Sequence, residues 1–275
     1  MKIKEKIPVS FFLIIFLLVL ASSRILTSGV FAQNNDSPKI VPRVVLVELF
    51  VQDGCPTCPT AEFCLEDLAW EYGTSKFILV QEHLWGDGHD TPETNARYDW
   101  YVGDGKKGTP DVFINGLTKR FQGLSCDCVE GNYECYKDAI DEELTRPSLL
   151  EISAVKTPHP NPLPQGEREK DEESTTIIIE GTVKNISGTP LKDLAVCGMV
   201  GIEKDEPGLY NYIQDIFPFQ NIPTLLPGAD FNFKFISEIS LTPESEIDDE
   251  KEILHLVIFV QNTITKEILQ ALYIE

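Results

Sequence analysis

The chain has 275 residues, 42% of them hydrophobic, enough for a sizeable core and long for a single domain at roughly 100–200 residues each. Its 23 lysines and arginines stand against 44 acidic residues, a formal charge of −21. Such a surface repels phosphate backbones and anionic headgroups, which argues against nucleic acid as a partner.

At the N-terminus Lys2, Lys4 and Lys6 precede an unbroken apolar run from Phe11 to Ala21, and the small-x-small pattern Val30-Phe31-Ala32 follows. That order predicts a signal peptide over residues 1–32, cleaved after Ala32, and a periplasmic or secreted product. The run is too short for a comfortable membrane span of about 20 residues. Cleavage leaves 19 cations against 43 anions, or −24, and no stable membrane span. Residues 33–41 read as a leader.

Residues 42–147 read as one domain. Arg43 to Val51 is a β-branched apolar run, the mark of a strand buried on both faces. A turn at Gln52-Asp53-Gly54 leads to Cys55-Pro56-Thr57-Cys58. Within Thr60 to Tyr72, Phe63, Leu65, Leu68, Ala69 and Tyr72 recur at helical spacing, and Gly73 ends the run. Phe77–Val80 is a second buried strand. A polar stretch with His83, Trp85, His89 and Arg97 reads as a loop and leads to Gly108-Thr109-Pro110. Asp111–Ile114 with the Asn115-Gly116 turn predicts a hairpin closing near Phe121, and Tyr136 to Leu144 predicts a short amphipathic helix.

From residue 148 to 275 the pattern changes. Strand-like runs at 149–156, 175–184, 192–202, 209–217, 230–237, 253–261 and 267–274 are separated by turn signals such as Leu226-Pro227-Gly228. With no long helical pattern among them, they predict an all-β sandwich of immunoglobulin-like type. Residues 157–173 interrupt it with four prolines at alternate positions, His159-Pro160 among them. Proline donates nothing to a sheet ladder, so this reads as an exposed insertion.

A Cys-x-x-Cys pair alone is open to redox, metal and plain structural readings. Here Cys55 and Cys58 fall just after a buried strand and at the start of a helix, the setting of a redox motif. A thiolate at a helix N-terminus gains about 0.3–2 kcal/mol from the exposed N–H groups and the dipole. That enriches the species that attacks disulfides.

The segment Val44-Val-Leu-Val-Glu-Leu-Phe-Val-Gln-Asp-Gly-Cys-Pro-Thr-Cys-Pro59 resembles the first strand and active-site turn of thioredoxin-like proteins, most of all secreted members with a proline after the pair. Gly108-Thr-Pro-Asp-Val-Phe-Ile-Asn-Gly116 resembles that family's Gly-x-Pro strand. The resemblance covers about residues 42–146 and implies an α/β thioredoxin-like fold. It implies Cys55 as attacking thiol, Cys58 as resolving thiol and Pro110 in a cis peptide beside them. Thr109 would offer its backbone to a peptide substrate, and Glu48 would accept a proton from Cys58. The sequence departs from the family in having Asp53-Gly54, with no tryptophan, before the pair. No cofactor is implied. The partners implied are protein or peptide thiols and disulfides, with a separate redox partner.

Cys64, Cys126, Cys128 and Cys135 are candidates for two structural disulfides, one tying the loop to Cys64, with a redox relay, or a thiolate metal site of Cys55, Cys58, Cys126 and Cys128, as alternatives. Cys197, in an apolar strand, reads as a buried free thiol. His83 and His89 flank Trp85 near Asp90 and Glu93 at a spacing that matches no metal template, and read as part of a polar loop. The expectation is therefore an exported thiol–disulfide oxidoreductase. Its rival is a non-catalytic envelope interaction protein built on the same scaffold.

Overall fold

The run Val45–Val51 forms β1, and each of its seven residues is buried. Residues that are apolar on both sides of a pleat need cover on both sides, and this requirement organises the molecule. In the computed structural model, the residues described are 41–123, 125–126, 133–157, 174–203, 210–240 and 253–274. The expected signal peptide and nearly all of the leader, Cys128, and residues 158–173 of the proline-rich insertion lie outside them.

Strand β2 (Phe77–His83) pairs with β1 in parallel, and β3 (Asp111–Ile114) pairs with it antiparallel. A parallel pair needs a crossover, here helix α1 (Cys58–Tyr72), which has Pro59 in its first turn and ends at Gly73 with φ +71°. Strand β4 (Lys119–Gln122) closes the hairpin with β3. Helix α2 (Pro92–Val102) occupies part of the stretch expected to be a loop. Its start is a capping box: Thr91 Oγ1 accepts from the Thr94 N–H and Thr94 Oγ1 from the Thr91 N–H, both at 3.1 Å. Helix α3 is Glu134–Leu144.

The rest of the chain is strand: β5 (Leu150–Thr157), β6 (Ser174–Asn185), β7 (Leu194–Glu203), β8 (Tyr212–Ile216), β9 (Gln220–Ile222), β10 (Asp230–Ser240), β11 (Ile253–Asn262) and β12 (Ile268–Ile274). Each of the seven strand-like runs of the sequence overlaps one of these, and the three-residue β9 is additional. The expected boundary at 147/148 falls between α3 and β5.

These strands form two sheets. The larger runs β12-β11-β7-β8-β2-β1-β3-β4, with β9 on β7, and the smaller runs β10-β6-β5. The large sheet joins the two sequence halves at Gln81↔Tyr212, a pairing held by Asn211, whose Nδ2 donates to the Leu79 carbonyl at 2.7 Å. It then curls back on itself. Gly116 bridges Glu267, the Ile268 N–H donates to the Asn115 carbonyl at 3.0 Å, and the guanidinium of buried Arg43 reaches the Ile268 carbonyl at 2.9 Å. Inside the curl, Leu46, Ile78 and Val80 pack with Cys197, Met199, Ile213, Val257 and Phe259. Outside it, α1 and α3 cover one flank, and β5, β6 and β10 cover the other.

This architecture overturns the expected fold class, an α/β thioredoxin-like domain followed by an immunoglobulin-like sandwich. Among the described residues there are twelve strands and three short helices, and Lys39–Glu275 is one compact unit. The physical reason lies in the second face of β1 and β2. Leu46, Ile78 and Val80 are covered by β7, β8 and β11, so the two halves share a core and a sheet.

Candidate functional site at the Cys55–Cys58 pair

Alternation along β1 sends Val45, Val47, Leu49 and Val51 outward against α1 and α3. At the strand's end the chain turns, the Cys55 N–H donating to the Gln52 carbonyl at 3.1 Å, with Gly54 at φ +75°. Cys55 and Cys58 are joined by a disulfide. Cys55 is half-buried, whereas Cys58 is only 2% exposed and packs among Val51, Ala61 and the rest of that apolar cluster. The Cys55 Sγ lies 3.7 Å from Thr57 Oγ1. Thr57 is the N-cap of α1, makes no side-chain cap bond, and is followed by no acidic residue in the first turn. The positive end of a 15-residue helix therefore faces the pair without a competing side-chain acceptor.

Of the residues expected to serve this pair, Thr109 and Pro110 are at the same end of the sheet. Asp111 is registered opposite Phe50, which sets Pro110 beside the end of β1. The Thr109–Pro110 peptide is cis, Pro110 is buried, and its carbonyl accepts from the Gly123 N–H at 2.7 Å. Glu48 is not with them. It points to the inner face of β1, where its carboxylate accepts from Arg97 Nε and from the Tyr101 hydroxyl at 2.6 Å. The expectation that Glu48 relays a proton from Cys58 is thereby corrected, because one residue of strand parity separates the two faces.

Among the other cysteines, Cys126 and Cys135 are disulfide-bonded to each other and Cys64 is also in a disulfide. Cys197 is a buried thiol, and burial pushes its pKa up.

Sequence reasoning missed two polar clusters. The first adjoins the cysteine pair. His83, the last residue of β2, points outward toward α1, and its Nδ1 lies 2.8 Å from Asp87 Oδ2 and 3.9 Å from Asp53 Oδ1. The Asp53 N–H also donates to Asp87 Oδ2 at 3.1 Å, which ties the turn before Cys55 to the loop after β2. That loop can place Asp87 because Gly86 and Gly88 take φ +76° and +98°. Glu62, on the α1 face toward this cluster, has its carboxyl raised to about 7, first by burial, then by the charge of Glu66, with Asp53 adding to it and His83 opposing. Asp90, in the same loop, accepts from Asn95 Nδ2 at 2.7 Å, and its pKa is lowered by backbone hydrogen bonds and by Asn95.

The second cluster lies inside the curl. Glu48 and Glu82 are both fully buried with Arg97, whose guanidinium sits 4.8 Å from the Tyr101 ring centroid and 4.9 Å from that of Phe259. Burial, and then the neighbouring charge of Glu48, push the Glu82 carboxyl well above the ordinary range, with Arg97 opposing. The sequence signal for both clusters was present in the acidic residues of apolar strands and in the Thr91-Pro92-Glu93-Thr94 helix start. Their convergence was not.

No helix among the described residues is long and apolar enough to cross a membrane. No family model matches the chain, and no curated protein does. Among solved structures it is similar to HBP35 of Porphyromonas gingivalis, with 19% identity and a TM-score of 0.56 over 85% of this chain and 75% of that one. Two partial matches are a Bacteroides uniformis beta-glucuronidase (21% identity, TM-score 0.28, 45% of this chain and 12% of that one) and a domain of the outer membrane lipoprotein Omp28 from Porphyromonas gingivalis (15%, 0.27, 46% and 88%). These two carry no argument. The likeness to HBP35 extends through both sequence halves, so it concerns the strand-rich unit as a whole. It overturns the resemblance to thioredoxin-like proteins as a description of this chain, and it supplies no evidence of oxidoreductase activity.

Proposed function

We propose that the protein carries out thiol–disulfide exchange outside the cytoplasm, using Cys55 and Cys58 on cysteines of proteins or peptides. The observation that supports this most directly is the asymmetry of the pair. Cys55 is reachable and sits where a helix terminus favours a thiolate, while Cys58 is enclosed beside it. In the reducing direction, the Cys55 thiolate attacks one sulfur of a substrate disulfide, forming a mixed disulfide and releasing the other sulfur as a thiolate. The Cys58 thiol gives up its proton and attacks Cys55 Sγ; the second substrate sulfur leaves, and the Cys55–Cys58 bond reforms. The two electrons gained by the substrate come from the dithiol, and an external thiol partner restores it. The N-terminal pattern of residues 1–32 supports a periplasmic or secreted setting, with removal of the signal after Ala32.

The test is thiol trapping of the mature protein across redox buffers, together with turnover of a disulfide-bonded peptide. A potential well above about −300 mV, as for labile disulfides, is expected. Cys55→Ser is expected to reduce turnover to the uncatalysed rate, and Cys58→Ser to accumulate the mixed disulfide. A pair that resists reduction, with turnover unchanged in Cys55→Ser, would establish an inert disulfide in an interaction protein.

A further inference from the structure

We infer that Asp53, His83 and Asp87 form a binding site for a divalent transition-metal ion of the zinc type, beside the turn that leads to the cysteine pair. The Nδ1 of His83 and one oxygen from each aspartate lie within 4.8 Å of one another, and they come from three separate segments: the turn after β1, the end of β2 and the loop beyond it. An imidazole nitrogen with two carboxylate oxygens is a donor set that zinc accepts at about 2.0–2.2 Å per bond. Three protein ligands leave a fourth position open to water.

Two further features favour a cation here. The His83 and Asp87 side chains are only 5% and 2% exposed, and Asp87 is oriented before any ion arrives. Its Oδ1 accepts from the His89 and Asp90 N–H groups at 2.9 and 3.1 Å, which leaves Oδ2 directed at His83 and Asp53. Such outer bonds fix a ligating carboxylate. Charge points the same way. Among the described residues, neither Asp53 nor Asp87 forms an ion pair with lysine or arginine, so two carboxylates face one imidazole. A bound ion would replace the His83–Asp87 hydrogen bond by two metal bonds and would pin the turn Gln52–Gly54 to β2.

This site is independent of the exchange chemistry, so its test uses the oxidised protein, in which Cys55 and Cys58 cannot ligate. Zinc alone is the probe, titrated into the mature protein against a chromophoric chelator at neutral pH. One equivalent should bind. Asp53→Asn, whose side chain is 59% exposed and carries little packing, should weaken binding at least about tenfold while leaving the near-ultraviolet dichroism unchanged. His83→Gln should do the same, with Asp53→Asn remaining decisive if the buried substitution unfolds the protein. No stoichiometric binding, binding unaltered by Asp53→Asn, or equal affinity for magnesium would overturn the proposal.

Discussion

The most consequential single residue in the interior is Arg97. It is 5% exposed, neutralises Glu48, and lies against the rings of Tyr101 and Phe259. Removing one member of a buried ion pair leaves an uncompensated charge, at a cost of about 3–5 kcal/mol. Arg97→Met should destabilise the protein by that amount, read from urea midpoints at constant slope. Glu82 carries the opposite expectation. Arg97 Nε is 3.9 Å from Glu82 Oε1, too far for a hydrogen bond, and neither Glu82 oxygen has a donor, so burial and then the charge of Glu48 favour its protonated form. A carboxyl whose pKa rises on folding stabilises fully below its unfolded value of about 4.5, and that stability is lost as pH rises through the folded value. Glu82→Gln should flatten this decline, so the variant gains on the wild type progressively above pH 4.5. Denaturation midpoints measured from pH 4 to 8 check it, and parallel curves would refute it. That Glu48 is a buried acid was legible from its place in an apolar strand. Which partner it meets was not, because a shift of one residue exchanges the cysteine face for the Arg97 face.

At the scale of elements, the hairpin between β3 and β4 does more than turn the chain. Asn115 and Gly116 take φ +46° and +68°. From this bend Asn115 Oδ1 accepts from the Leu46 N–H at 3.0 Å, its Nδ2 donates to Glu143 at 2.9 Å, and its carbonyl accepts from Ile268. A Cβ on Gly116 would overlap the Lys266 carbonyl. Gly116→Ala should therefore cost more than about 1 kcal/mol, since both backbone geometry and space oppose it. Gly54→Ala meets nothing within 4 Å and suffers from its positive φ alone, so the comparison of the two separates strain from overlap. The turn signal Asn-Gly was readable in the sequence. Its second role, joining the hairpin to β12, depended on a strand 150 residues away.

For the whole molecule, continuity of the large sheet predicts a single cooperative transition. Residues 42–147 alone would expose the inner faces of Leu46, Ile78 and Val80, which β7, β8 and β11 otherwise cover. Each such side chain is worth about 1.5–3 kcal/mol of burial. That fragment should fail to fold alone, giving broad amide resonances and binding a hydrophobic dye. A well-dispersed spectrum from the fragment would show that the shared core is dispensable.

By itself the amino-acid order determined the position of nearly every strand, the start of α1 at the cysteine pair, and the turns that glycine, proline and asparagine demand. These follow from backbone sterics and from hydrophobic period, which act over a few residues. The tertiary structure alone decided that two sequence halves close one curled sheet, that Glu48 turns away from the cysteines, and that Asp53, His83 and Asp87 meet beside them. Each of these depends on which covered face finds which partner, a matter of long-range packing that local periodicity does not encode.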